Sequence, residues 1–277
     1  MRHLPEFENK DQLFAYLRAN KKILKAAKMA EYKKADAVIF GSFNTDKDGS
    51  IVKATANPDL LKLGEFPVKI VVNTTNIRDS HKDVHIPGLW DKSLKELKIV
   101  YHLQEHELKF ENVISDRVTA YTKQITWKEL GESYAGSTQA LMFDSIIEIE
   151  RNEYMAEQYA KGWVRNHSVG MRYVKIEMAI NSEYKGDAEE KAVWDKYIGQ
   201  IVNRAEVEED GYFWAVTEAK LIEGSAVLMG SNCVTPTQSV GESDDKSLNS
   251  ADNVTDKEPI KLITALDKLN QLLTQNN

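Results

Sequence analysis

Residues 162–171 read Gly-Trp-Val-Arg-Asn-His-Ser-Val-Gly-Met, and they open a segment with strand character that continues to residue 180. The residues before them, 150–161, are strong helix formers and end at Gly162, where a helix commonly stops. Ser168 is followed two positions later by Gly170, and a glycine in a strand permits the close approach of a ligand or another backbone. The stretch therefore predicts a strand directly after a helix, with a small hydroxyl side chain on it.

Outward from this strand, the sequence contains further short strands separated by helices. β-Branched and aromatic residues predict strands at 37–43, 50–55, 68–73, 99–103, 113–127, 139–149, 212–220 and 226–229. Helix-forming residues predict helices near 89–97 and 183–200. Short strands interspersed with helices indicate an α+β fold, and we expect a β-barrel with covering helices.

Three parts follow one another along the chain. Residues 1–34 form an N-terminal helical extension whose apolar side chains have amphipathic spacing, namely Leu13, Phe14, Leu17 and Leu24. Residues 35–237 contain the predicted strands and form the folded domain. Residues 238–277 begin with the polar composition of a flexible linker and end in a short C-terminal helix with leucines at heptad spacing.

Composition narrows the classes of partner. The net charge of −7 and the isoelectric point near 5.5 argue against nucleic-acid binding, because a phosphate backbone requires a basic surface. Cys233 is the single cysteine, so an intrachain disulfide is impossible. No segment has the apolar length of a signal peptide or a membrane span. We therefore expect a cytosolic protein that binds neither membranes nor nucleic acid and whose partners are proteins.

Histidines are the first candidates for catalysis, because the sequence has neither a phosphate-binding loop nor a dinucleotide motif and implies no cofactor. Two pairs with H-x-x-x-H spacing stand out, His81 with His85 and His102 with His106. Either pair could bind zinc from one helix face, which makes a metal-dependent hydrolase an alternative function. Neither pair contains the glutamate of the H-E-x-x-H motif, so we predict no metal site. A histidine at the end of the 99–103 strand is the better candidate for a general base.

Four blocks in order resemble the prohead protease family of tailed phages, which is similar in fold to the herpesvirus assembly proteases. Residues 79–90 read DSHKDVHIPGLW and resemble the family's D-x-x-G-D-x-x-x-P-G-x-[FW] block. Residues 99–106, IVYHLQEH, are similar to the apolar strand that ends in its histidine. Residues 162–171 resemble its G-x-x-x-x-x-S-x-G-[FMY] strand, and residues 221–227, LIEGSAV, its L-x-E-x-S-x-V strand.

The resemblance implies a herpesvirus-protease-like β-barrel in residues 35–237 and a catalytic triad. Ser168 is the implied nucleophile, His106 the general base and Glu223 the acid that orients the histidine. His102 is the alternative base and Glu218 the alternative acid. Backbone N–H groups receive the oxyanion, and two arginines could assist there, namely Arg165 and Arg172.

The same resemblance implies a biological setting. The substrates are the phage scaffold and major capsid proteins and the protease itself, cleaved inside the procapsid in the bacterial host cytoplasm. Self-association is expected as well. The alternative within this fold is a catalytically inactive scaffold or assembly protein.

Overall fold

Nine strands and five helices lie within residues 4–32 and 56–242, the part of the chain that the computed structural model describes. The helices are α1 (Lys10–Ala30), α2 (Asp91–Glu96), α3 (Glu153–Ala160), α4 (Ala188–Tyr197) and α5 (Arg204–Asp210). The strands are β1 (Glu65–Thr74), β2 (Asp83–His85), β3 (Tyr101–Gln104), β4 (Val113–Ser115), β5 (Val118–Thr126), β6 (Ser137–Glu148), β7 (Asn166–Ile180), β8 (Tyr212–Val227) and β9 (Thr237–Val240). The hairpin predicted at 37–55 and the helix predicted near the C-terminus lie outside the described residues.

The fold is mixed α+β, as predicted, and its strands form two sheets. One sheet has the order β5-β6-β1-β9 and is antiparallel throughout. The other is organised around β8, which pairs with β7 along one edge and with β2 and β3 at different ends of the other edge. β2 and β3 run parallel to β8, and β4 pairs antiparallel with β3.

The expected barrel is not closed in the part of the chain that the structure describes. The two sheets meet at an isolated bridge between Asn166 and Pro236, just before β9 leaves to pair with β1. At this bridge the His167 N–H donates to the Thr235 carbonyl at 3.0 Å and the Thr237 N–H donates to the Arg165 carbonyl at 3.3 Å, before β9 continues along β1. The strands therefore remain two sheets joined at a corner.

The core lies where the inner faces of the sheets and helices α1 and α3 pack together. Alternate residues of β1 are buried in it, namely Phe66, Val68, Ile70 and Val72. This period of two is what a strand with one face toward the core requires. Phe14 of α1 and Tyr159 of α3 belong to the same buried cluster, so both helices contribute to it.

Helix α1 confirms the amphipathic helix predicted in residues 1–34. Its N-terminus is capped by the side chain of Asn9. Its basic side chains pair with acids elsewhere in the chain: Arg18 contacts Asp187 at 2.5 and 2.8 Å, and the buried Lys28 pairs with Asp83. Helix α1 is thus tied to the sheet rather than held apart from it. None of the described helices is long and apolar enough to span a membrane.

Two segments differ from the sequence-based expectation. The strands predicted at 212–220 and 226–229 are one strand, β8, which continues through Gly224. A Cβ at Gly224 would lie 2.5 Å from the ring of Phe143 and 2.9 Å from Val72, so the glycine permits close sheet packing rather than breaking the strand. In addition, β9 continues the sheet to Val240, beyond the boundary predicted at residue 237.

Candidate active site

Two neighbouring strands place hydroxyl and carboxyl side chains on one face of the β8 sheet. Ser168 of β7 lies opposite Ser225 of β8, and Gly170 lies opposite Glu223. Side chains two residues apart share a face, and directly opposite residues have Cβ atoms about 4.5–5.5 Å apart. Ser168, Ser225 and Glu223 therefore lie together on this face.

His106 reaches the same face from the other edge of β8. It follows β3, in a turn where Glu105 and His106 have φ values of 52° and 59°. Non-glycine residues rarely adopt this left-handed conformation, which costs about 1–3 kcal/mol and persists where other contacts hold it. Here the His106 N–H donates to Ser225 Oγ at 3.1 Å, and Nδ1 lies 2.6 Å from Glu223 Oε1. The turn thus directs the histidine toward the carboxylate.

Glu223 is fully buried and accepts three hydrogen bonds. Oε1 accepts from His106 Nδ1 and from the hydroxyl of Tyr32 at 2.8 Å, and Oε2 accepts from Ser225 Oγ at 2.6 Å. A buried carboxylate requires such donors, because an unpaired one would lose its hydration without compensation. Glu223 is therefore held as an acceptor.

The hydrogen bond to Glu223 determines which nitrogen of His106 carries the proton in the neutral ring. A carboxylate accepts, so Nδ1 carries the hydrogen and Nε2 keeps its lone pair. Nε2 is buried and has no hydrogen-bond partner among the described residues. This is the tautomer that a general base needs when it takes a proton from a nucleophile.

Tyr32 is the member of this group that the sequence analysis missed. It lies two residues beyond the end of α1 and is distant in sequence from Glu223, so no local pattern links the two. Burial, together with the nearby Glu223 charge, raises the pKa of Tyr32 well above its usual range. Its hydroxyl is therefore protonated and donates at neutral pH.

His102, the alternative base, belongs to a different buried network. His167 Nδ1 donates to the Thr235 carbonyl at 3.0 Å, so its Nε2 accepts from the Tyr159 hydroxyl at 2.9 Å. Tyr159 in turn accepts from His102 Nε2 at 2.9 Å, and His102 Nδ1 accepts from Ser145 at 3.1 Å. Both His102 ring nitrogens are thus engaged, which leaves neither for a substrate.

Burial keeps this second network neutral. It lowers the pKa of His167 to about 4 and, with the neighbouring His167, holds the pKa of His102 well below its usual range. The pKa of the Tyr159 hydroxyl is raised by burial. The network is therefore an uncharged hydrogen-bonded link between both sheets and helix α3.

The alternative acid and the two arginines have surroundings different from those of Glu223. Glu218, the alternative acid, pairs with Lys175 at 2.5 Å and with Lys92 at 3.5 Å. Arg172 is exposed on β7. Arg165 precedes β7, and its Nε is buried without a partner among the described residues. Glu218 is thus engaged by lysines, whereas Glu223 contacts the histidine.

Three of the four histidines considered for zinc have ring nitrogens that contact other side chains. His85 Nδ1 accepts from the side-chain amide of Asn73 at 2.7 Å. His102 and His106, four residues apart, bind Tyr159 and Glu223 respectively. Within residues 4–32 and 56–242, no three His, Cys, Asp or Glu side chains are grouped as metal ligands.

Comparisons with known proteins identify no family for this chain. Models of protein families, curated proteins and solved structures gave no significant match to the chain. The candidate site therefore has to be interpreted from its own residues.

Proposed function

We propose that this chain is a serine endopeptidase of the prohead protease type, with Ser168 as nucleophile, His106 as general base and Glu223 as orienting acid. The observation that carries the proposal is the buried 2.6 Å hydrogen bond from His106 Nδ1 to Glu223, on the sheet face that bears Ser168. The tautomer of His106 supports it, because a triad needs a base with its lone pair on Nε2; Nε2 and Ser168 Oγ are not hydrogen-bonded to each other in the described part of the chain.

The proposed reaction is acyl transfer in two steps. His106 Nε2 takes the Ser168 proton as Oγ attacks the peptide carbonyl carbon, and Glu223 stabilises the imidazolium that forms. The tetrahedral intermediate collapses when His106 gives this proton to the leaving amine nitrogen, which breaks the C–N bond. A water molecule then loses a proton to His106 and attacks the acyl ester. The C–O bond to Ser168 breaks as His106 returns this proton to Oγ, which releases the carboxylic acid product and regenerates Ser168.

The loop after β8 is the candidate source of oxyanion donors. A Cβ on Gly230 would lie 3.5 Å from Ser168 Cβ and 2.8 Å from the His167 carbonyl oxygen. The contact with the His167 carbonyl is too short for a side chain, so only glycine lets the loop backbone run along the strand that bears Ser168. We propose that backbone N–H groups of this loop stabilise the negative charge that forms beside Ser168.

The finer fold and the biological setting follow from the sequence resemblance. We propose a herpesvirus-protease-like fold, because the serine and the acid lie on the adjacent strands β7 and β8, and the histidine directly follows β3 on the other side of β8. The proposed substrates are the scaffold and major capsid proteins of a phage and the chain itself, cleaved inside the procapsid in the host cytoplasm. Self-association is part of the same proposal.

Labelling with a fluorophosphonate tests the chemistry without a known substrate. Such probes form a covalent bond with an activated serine, so we expect stoichiometric labelling of Ser168, located by mass spectrometry of the digested protein. Ordinary serines are poor nucleophiles without an adjacent base. An unlabelled folded protein would support the inactive assembly protein instead, and label on another serine would overturn the assignment of Ser168 as the nucleophile.

Gly170→Ala is expected to disrupt the site by displacing the Glu223 carboxylate. A Cβ there would overlap the Glu223 carboxylate and the Tyr32 hydroxyl, and it would lie 2.6 Å from Glu223 Cδ. Overpacking of this kind typically costs about 1–3 kcal/mol, and it displaces the carboxylate that His106 needs. We expect a lower melting temperature and a much slower rate of fluorophosphonate labelling.

Gly199→Ala is the matched control for this variant. A Cβ on Gly199 has no atom within 4 Å, so the same chemical change meets open space. It should leave both the melting temperature and the labelling rate unchanged. Equal labelling rates for Gly170→Ala and Gly199→Ala would contradict the geometry assigned to the site.

A further inference from the structure

The chain just after helix α1 places a side chain against the proposed triad. Tyr32 follows the helix by two residues, and its hydroxyl donates to Glu223 Oε1 at 2.8 Å. The same oxygen lies 2.6 Å from His106 Nδ1. The carboxylate oxygen that orients the histidine is therefore shared with a residue from the N-terminal part of the chain.

The space around this shared oxygen is closely packed. The Tyr32 hydroxyl and the Glu223 carboxylate both lie over the bare backbone of Gly170 on β7. Ser225 donates to the second carboxylate oxygen at 2.6 Å. Three donors from separate parts of the chain thus limit how the carboxylate can rotate. Tyr32 supplies the one that does not come from the sheet or from the histidine.

A buried ion pair anchors the end of α1 that carries Tyr32. Lys28 lies four residues before Tyr32, and its Nζ contacts the Asp83 carboxylate and the His81 carbonyl oxygen, the latter at 3.1 Å. Lys28 lies in the last turn of α1, so this contact fixes that turn against the sheet. The end of α1 that leads to Tyr32 is therefore held in place against the sheet.

We propose that Tyr32 is a positioning residue for the triad: its hydroxyl fixes the Glu223 carboxylate in the orientation that holds His106 as a general base. This inference rests on the proposed serine peptidase function. It makes α1 part of the active site, although the sequence alone presents residues 1–34 as an extension.

Tyr32→Phe isolates the hydroxyl, because the ring and its packing are kept. A hydrogen bond to a charged group is strong enough that its loss should slow fluorophosphonate labelling of Ser168 about tenfold. The melting temperature should stay near that of the wild type. Proton NMR gives a second measurement, since the His106 Nδ1–H donates to the same Glu223 oxygen and its low-field resonance should shift in the variant.

Tyr16→Phe is the matched control, because Tyr16 is on the same helix and its recorded aromatic contact is with Phe7. It should leave the rate and the resonance unchanged. A reactive wild type with an unaltered Tyr32→Phe variant would overturn the inference and leave the proposed function standing. A slower variant with an unmoved resonance would overturn the positioning role. An unreactive wild type would overturn the proposed function and the inference together.

Discussion

Replacing Ser168 by alanine is expected to abolish proteolysis while leaving the fold intact. The substitution removes one oxygen atom. It keeps the pairing of Ser168 with Ser225, because this pairing is made by the backbones of β7 and β8. Loss of a nucleophile disables a triad as a unit, and in related chemistry the cost is on the order of a millionfold in rate. Mass spectrometry of fragments after co-expression with phage scaffold and capsid proteins measures this loss.

Ser239→Ala provides a control with the same chemical change. Ser239 lies on β9 in the other sheet, so its loss should leave both cleavage and stability as in the wild type. Fragments that still appear with purified Ser168→Ala, cut at the same positions, would assign the nucleophile to another residue. A lower melting temperature would instead show that Ser168 contributes to packing.

The longer elements of the fold could be predicted from local pattern. Strands β1, β6 and β7 are dense in β-branched and apolar residues, and α3 is a run of helix formers before Gly162. The continuous course of β8 could not be predicted in this way, because a glycine such as Gly224 usually weakens a strand. The close contact that favours a glycine here is with Phe143, which belongs to the other sheet. Short strands such as β2 and β9 exist through their partners and have little local signal.

The site was predictable only where residues match a motif. Ser168 and Glu223 lie in recognisable strand motifs, but residue spacing does not decide whether His102 or His106 is the general base. Although Glu105 and Glu107 flank His106 in the sequence, His106 is only 5% exposed and its carboxylate partner is Glu223. That contact depends on two consecutive left-handed residues, which no residue preference in this stretch indicates.

We expect substitutions of His106 and His102 to have opposite effects, because the two histidines make different contacts. His106 contacts Glu223, which keeps donors from Tyr32 and Ser225 when the imidazole is removed. His102 bridges Ser145 and Tyr159 deep in the core, at 0% exposure. The first histidine is therefore dispensable for folding, and the second is a structural link.

His106→Ala should lose processing and Ser168 labelling, by a factor on the order of a million for a triad member, with a melting temperature close to that of the wild type. His102→Ala leaves the Ser145 hydroxyl without its acceptor and removes the donor to the Tyr159 hydroxyl, which keeps its bond to His167; an unsatisfied buried group costs about 1–3 kcal/mol. For a chain of this size, each kcal/mol lowers the melting temperature by about 2–4 °C, so the His102 variant should melt clearly earlier. Its labelling rate per folded molecule should stay near that of the wild type, because His106 and Glu223 are untouched. Thermal melting and fluorophosphonate labelling of the same preparations separate the two roles. The reverse result, a stable but unreactive His102→Ala and an unstable but reactive His106→Ala, would transfer the general base to His102.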